Sequence, residues 1–130
     1  MGRKSQPPDP SRRERQIIDI VYRRGRASAA QVREDLPDAP SYSSVRTLLT
    51  ILEQKGHLKH VEEGGRYIYF PTRRRESVGR AALRRVLQTF YQGSVEKTMA
   101  ALLDISESRL SAEEMKRLAR LIEEARKEGR

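Results

Sequence analysis

Within its first 72 residues the chain places three short amphipathic helices, each opened by a serine cap, ahead of two β-rich runs around a glycine pair. Few folds accommodate that order. Ser11-Arg12-Arg13-Glu14 is an S-x-x-E capping box, in which Ser11 accepts from the third backbone amide and Glu14 reaches back to the cap. The helix it opens is expected from about Arg12 to Arg24, with Ile17, Ile18, Val21 and Tyr22 at helical spacing, and Gly25 ends it. Ser28-Ala29-Ala30-Gln31 repeats the box and opens a second helix that turns Ala29, Val32 and Leu36 inward before Pro37. After the Asp38-Ala39-Pro40 turn, Ser41 caps a third helix running to Lys55 and ending at Gly56. At about 100 degrees per residue, Val45, Leu48, Leu49 and Leu52 form one narrow stripe, and Ser43, Arg46, Thr47, Thr50 and Gln54 lie opposite. Leu58 to Val61, a Glu62-Glu63-Gly64-Gly65 turn and Arg66 to Phe70 then predict a β-hairpin closed by Pro71.

From Thr72 the pattern is helical again. Val78, Ala82, Leu83, Val86, Leu87 and Phe90 give a long stripe ending at Gly93. Ser94 caps a shorter helix with Val95, Met99, Leu102 and Leu103, and a third box, Ser111 to Glu114, opens a last one with Met115, Leu118, Leu121, Ile122 and Ala125. The expected fold class is mainly α with a small β-hairpin wing (α+β). A winged helix-turn-helix DNA-binding domain over residues 11–72 is followed by a three-helix dimerisation domain over 73–130, and residues 1–10 form a disordered basic arm. About 55 residues of C-terminal helix are too few to bury a self-sufficient core, so their stripes call for a second copy of the chain. The candidate dimer interface is Val86, Leu87, Phe90, Met99, Leu102, Leu103, Leu118 and Ile122.

Charge agrees with that division. The chain carries a formal +9, and residues 1–75 hold 16 basic and 9 acidic side chains, a net +7. A polyanion is the partner such a half attracts. There is no cysteine, which removes disulfides, thiolate metal sites and zinc-finger chemistry. No apolar run approaches the roughly 18 residues of a membrane span, so a cytoplasmic protein without membrane contact is expected. His57 and His60 sit three apart near a strand, which turns their rings to opposite faces, and zinc needs at least three ligands. No metal, cofactor or catalytic residue is therefore assigned, and the chain is not read as an enzyme.

A helix packed on one side is about the width of the B-DNA major groove and offers its free side to base edges. The small groups at Ser43, Thr47 and Thr50 permit close approach, and Arg46 can fork onto guanine or onto phosphate. Amides at the helix start, around Ser41 and Ser44, suit a phosphate, and Arg66 stands just past the hairpin tip as a backbone ligand. The candidate DNA-binding set is thus Ser41, Ser43, Ser44, Arg46, Thr47, Thr50, Gln54 and Arg66. The alternative is a winged-helix protein-interaction or RNA-binding module. Against it, the polar face has no large apolar anchor, and an A-form major groove is too narrow for the helix. Arg73-Arg74-Arg75 is placed in the first turn of the fourth helix, where cations oppose the macrodipole; it is either solvated surface or a phosphate contact. Arg3 and Lys4 of the arm either trail in solvent or enter a minor groove.

Pro40-Ser41-Tyr42-Ser43-Ser44-Val45-Arg46-Thr47-Leu48-Leu49, Leu52 to Gly56 and Gly65 to Pro71 resemble the penicillinase-repressor family of the BlaI/MecI type, as does Phe90-Tyr91-Gln92-Gly93-Ser94 ending a long helix. The resemblance covers about residues 11–128. It implies a homodimeric bacterial transcriptional repressor of antibiotic-resistance genes, bound to double-stranded DNA at a palindromic operator with TACA/TGTA-like half-sites. It further implies release by a regulatory protease, under control of a membrane sensor, with cleavage near Met99 to Leu103. Three features depart from the family pattern. Ile51 stands where members often carry a basic residue, Glu62-Glu63 makes the wing turn acidic so that its tip stands off phosphate, and the cysteine motif of the copper-responsive branch is missing.

Overall fold

The computed structural model describes residues 8–106 and 109–129. The elements follow in the order α1 (Arg12–Arg24), β1 (Ala27–Ser28), α2 (Ala29–Asp35), α3 (Tyr42–Gln54), β2 (Leu58–Glu63), β3 (Arg66–Pro71), α4 (Arg75–Tyr91), α5 (Val95–Ile105) and α6 (Ala112–Lys127). They divide into two compact units, one ending at Leu83 and one beginning at Arg84, so the division falls inside α4. Six helices and one small antiparallel sheet make the fold α+β, a winged helix-turn-helix followed by helices. Among the described residues no helix is long and apolar enough to cross a membrane. Of the expected arm, residues 1–7, with Arg3 and Lys4, lie outside the described residues.

The first unit closes around α3. Val45, Leu49 and Leu52 have no exposed surface, and they pack with Ile17, Ile20 and Val21 of α1, Val32 of α2, Leu36, Leu58 and Tyr69. The α1 stripe is rotated from the expected one: Ile20 is buried, while Ile18 and Tyr22 lie at the rim. The rotation follows from Glu14, which shares the inward face three residues before Ile17 and is itself buried. Its carboxylate accepts the Ser11 amide at 2.9 Å, completing the capping box, and accepts the Lys55 ammonium at 2.8 Å. One side chain therefore caps the start of α1 and ties it to the end of α3. The Lys55 bond and the Ser11 amide hold the Glu14 carboxyl below the ordinary carboxylate range.

The sheet has the order β1-β3-β2, all antiparallel. Its first strand was not legible in the pattern, because two residues show no alternation. Ala27 opposes Tyr69 and Ser28 opposes Ile68, and Ser28 also caps α2 through its bond to the Gln31 amide. The expected four-residue turn is shorter than predicted. Glu62 and Glu63 belong to β2, paired with Tyr67 and Arg66, and only Gly64 and Gly65 turn the chain. Both have positive φ, 58° and 79°, the backbone a two-residue hairpin turn demands.

The fourth helix starts at Arg75, not Thr72, so Arg73 and Arg74 precede it. Three bonds hold this stretch out of helix. The Thr72 hydroxyl donates to the Gly56 carbonyl at 2.6 Å, the Thr72 amide to the His57 carbonyl at 3.2 Å, and the Tyr22 hydroxyl to the Arg73 carbonyl at 2.9 Å. Arg75 is the one arginine of the run inside the helix, and its guanidinium donates to the Tyr22 carbonyl. In the second unit, Ser94 caps α5 and the Ser111–Glu114 box caps α6. None of α4, α5 or α6 buries a residue.

Because folding lowers the Glu14 pKa, its charged contacts stabilise the protein fully above the ordinary carboxylate range, and this contribution is lost as pH falls to the lowered value. Glu14→Gln is expected to remove that part of the acid sensitivity and cost about 1–2 kcal/mol near neutral pH. Urea unfolding of both proteins between pH 7 and pH 3 measures it, and parallel stability curves would contradict the assignment.

Candidate nucleic-acid interface

The face of α3 opposite the core is laid open by the spacing that buries Val45, Leu49 and Leu52. Ser43, Arg46, Thr47 and Thr50 line one shallow depression on it. The Thr50 hydroxyl donates to the Arg46 carbonyl at 3.0 Å, so its proton is committed to the helix, and the residue is exposed. Gln54 is exposed at the last position of α3, a turn beyond this depression. Ile51 is half-buried. Ser41 and Ser44 are mainly occupied by each other: Ser41 Oγ accepts the Ser44 amide at 3.1 Å and donates to Ser44 Oγ at 2.8 Å.

Arg66 enters from the hairpin. With Arg46, Tyr42, Tyr67 and Tyr69 it lines a cleft of about 260 Å³ bounded on its far side by Ser28, Ala29 and Ala30 at the start of α2. The structure thus brings Arg46 and Arg66, 20 positions apart, to one cavity. Tyr42 was not among the expected residues, yet the Arg46 guanidinium carbon lies 5.9 Å from the centre of its ring. The i, i+4 spacing of Tyr42 and Arg46 is the signal that carries this contact. Tyr67 is fixed from behind, its ring stacked on His60 at 4.0 Å, and His60 Nδ1 lies 2.6 Å from the Glu53 carboxylate. The second histidine is engaged elsewhere, with Nε2 2.7 Å from the Pro8 carbonyl.

Several cations of the basic half are tied up internally. Arg13 pairs with Asp38, Arg24 with Asp35 at 2.7 Å, Arg26 with Glu63 and Lys55 with Glu14. Hydrogen bonds from Arg13, Arg24 and Arg26 hold the carboxyls of Asp38, Asp35 and Glu63 below their ordinary range. Among the described residues, neither Arg46 nor Arg66 takes part in a salt bridge. The acidic pair expected to repel phosphate at the wing is likewise modified, since Glu63 is engaged by Arg26.

In the second unit Val86, Leu87, Met99 and Leu118 are half-buried, and Phe90, Leu102, Leu103 and Ile122 are exposed. Phe90 and Ile122 keep 68% and 65% of their surface open, far more than a folded chain leaves on large apolar side chains without cause. Leu118 and Leu121 also line an apolar groove along α6 with Leu110.

The model of the family described as penicillinase repressor matches residues 10–124. The penicillinase repressor of Bacillus licheniformis is 24% identical over 119 residues, spanning 90% of this chain and 91% of that protein. Among solved structures, the DNA-binding domain of the repressor BlaI is similar with a TM-score of 0.48 and 24% identity, covering 54% of this chain and 88% of that one. BpsR of Bordetella bronchiseptica, whose DNA binding is regulated by 6-hydroxynicotinic acid, is similar with a TM-score of 0.45 and 14% identity, covering 88% and 73% of the two chains. The family match runs through both units, and the chain belongs to the penicillinase repressor family, a family of DNA-binding transcriptional repressors.

Proposed function

We propose that the chain acts as a homodimeric cytoplasmic repressor, with no catalytic activity, that lays α3 in the major groove of a palindromic operator with TACA/TGTA-like half-sites. The observation that carries this reading is the joint exposure of Ser43, Arg46, Thr47 and Thr50 on a helix whose other side is fully buried. These groups are short, so the helix backbone approaches the bases closely, and Arg46 alone reaches furthest toward guanine O6 and N7. Thr50, with its hydroxyl proton committed, presents a methyl suited to a thymine methyl. Arg66 supplies a sequence-independent contact to the backbone on the wing side.

The apolar side chains of residues 84–130 are the reason for two-fold assembly. Phe90, Leu102, Leu103 and Ile122 are exposed, and a second copy covers them at the lowest cost in new sequence. A two-fold dimer then presents two α3 helices to half-sites related by the same axis. Release follows cleavage near Met99 to Leu103 by a regulatory protease, which would remove part of that apolar surface from each copy.

Binding to DNA from upstream of the gene, followed across a salt series, tests the whole reading. With about 6 to 10 phosphate contacts per dimer, affinity should fall roughly 10³- to 10⁵-fold between 50 and 200 mM salt, and a flat response would refute it. On a specific site Arg46→Ala should cost about 1–3 kcal/mol more than on random duplex, whereas Arg66→Ala should weaken both alike. Equal losses for Arg46→Ala would reassign that side chain to the backbone. Phe90→Arg should weaken dimers by on the order of 3 kcal/mol, because the new charge has no partner in the interface. Sedimentation at micromolar protein reads the outcome, and an undiminished dimer would remove Phe90 from the interface.

A further inference from the structure

Glu63 and Arg66 face each other across the two-residue turn, as the cross-strand pair that flanks it. Opposite charges in that position ordinarily join, since directly opposed Cβ atoms stand only about 4.5–5.5 Å apart. They do not join here. Glu63 Oε1 instead accepts from Arg26, 37 positions earlier in the chain, at 2.5 Å. Arg26 is also the first cause of the lowered Glu63 pKa, with Arg66 contributing least. Arg66 is left without a salt bridge among the described residues and lines the cleft that Arg46 borders from α3.

We propose that this cleft seats one phosphodiester of the DNA backbone on Arg66, and that Arg26 is a positioning residue that keeps Glu63 from occupying Arg66 in its place. The proposal rests on the repressor reading above and adds a residue that makes no contact with the DNA. A phosphodiester and the Glu63 carboxylate are alternative anions for one guanidinium, and both make the same bidentate contact. Arg26 decides the competition by satisfying the carboxylate first. The pair is about half exposed on both sides, so it contributes little to folding and its effect falls on binding. The same device answers the acidic wing. A turn flanked by Glu62 and Glu63 stays compatible with DNA because one of the two carboxylates is already matched to a cation.

The test is a cycle of full-length variants titrated with random-sequence duplex DNA at about 100 mM salt. Arg26→Ala should bind about fivefold more weakly, in the range expected for an exposed ion pair, with melting temperature unchanged. Arg66→Ala should lose about the same and flatten the salt dependence by about 0.9 for each phosphate contact removed. In the Arg66→Ala background, adding Arg26→Ala should change nothing further. Arg26→Ala combined with Glu63→Gln should return to within about twofold of the parent protein. A loss from Arg26→Ala that persists without Arg66 would overturn the proposal, because it would mean a direct or general charge effect of Arg26. Failure of Glu63→Gln to restore binding would overturn it as well. A parent protein with no affinity for duplex DNA would instead remove the repressor reading itself.

Discussion

Everything on the binding side depends on how α3 is held. Three side chains, Val45, Leu49 and Leu52, are withdrawn completely from solvent against α1, α2 and the sheet. Burying aliphatic side chains of this size is worth roughly 1.5–3 kcal/mol each, so the helix is held in one rotational setting about its axis. That setting determines which residues remain outside. Glu14 and Lys55 add a polar lock at the far end, joining the start of α1 to the end of α3. A helix fixed from one side at both ends can present small polar groups without needing them for its own stability.

Charge is used more sparingly than a formal +9 suggests. Arg13, Arg24, Arg26 and Lys55 are matched to carboxylates 11 to 41 positions away in sequence but adjacent in the fold. Arg46 and Arg66 are among the cations left without a salt bridge among the described residues, and they line one cleft. In the proposed reading, the two unmatched cations that share a cleft are the ones that meet a ligand of opposite sign. Total charge sets long-range attraction.

Local periodicity carried the helices, since a cap and a 3.6-residue stripe are both short-range signals, and the boundaries of α1, α2 and α3 follow them closely. Residues whose placement depends on distant partners were not readable that way. β1 is two residues long and exists only because β3 lies beside it. Glu14 reads as a capping residue, and nothing nearby in sequence announces Lys55. Arg73 reads as helix, but Tyr22, 51 positions away, takes its carbonyl. Within the candidate site the same distinction holds. The face of Ser43, Arg46, Thr47 and Thr50 was legible from one helix, Tyr42 was recoverable from i, i+4 spacing, and the Arg26–Glu63 pair required the folded sheet.

The central claim is that the outward face of α3, together with the hairpin, is the surface that meets DNA. Mapping backbone amide shifts of the full-length protein during titration with duplex from upstream of its gene tests this directly. The account predicts the largest changes from Ser43 to Thr50 and around Gly65 to Tyr67, with little change along α6. Shifts confined to α5 and α6, with α3 unmoved at saturating DNA, would contradict it.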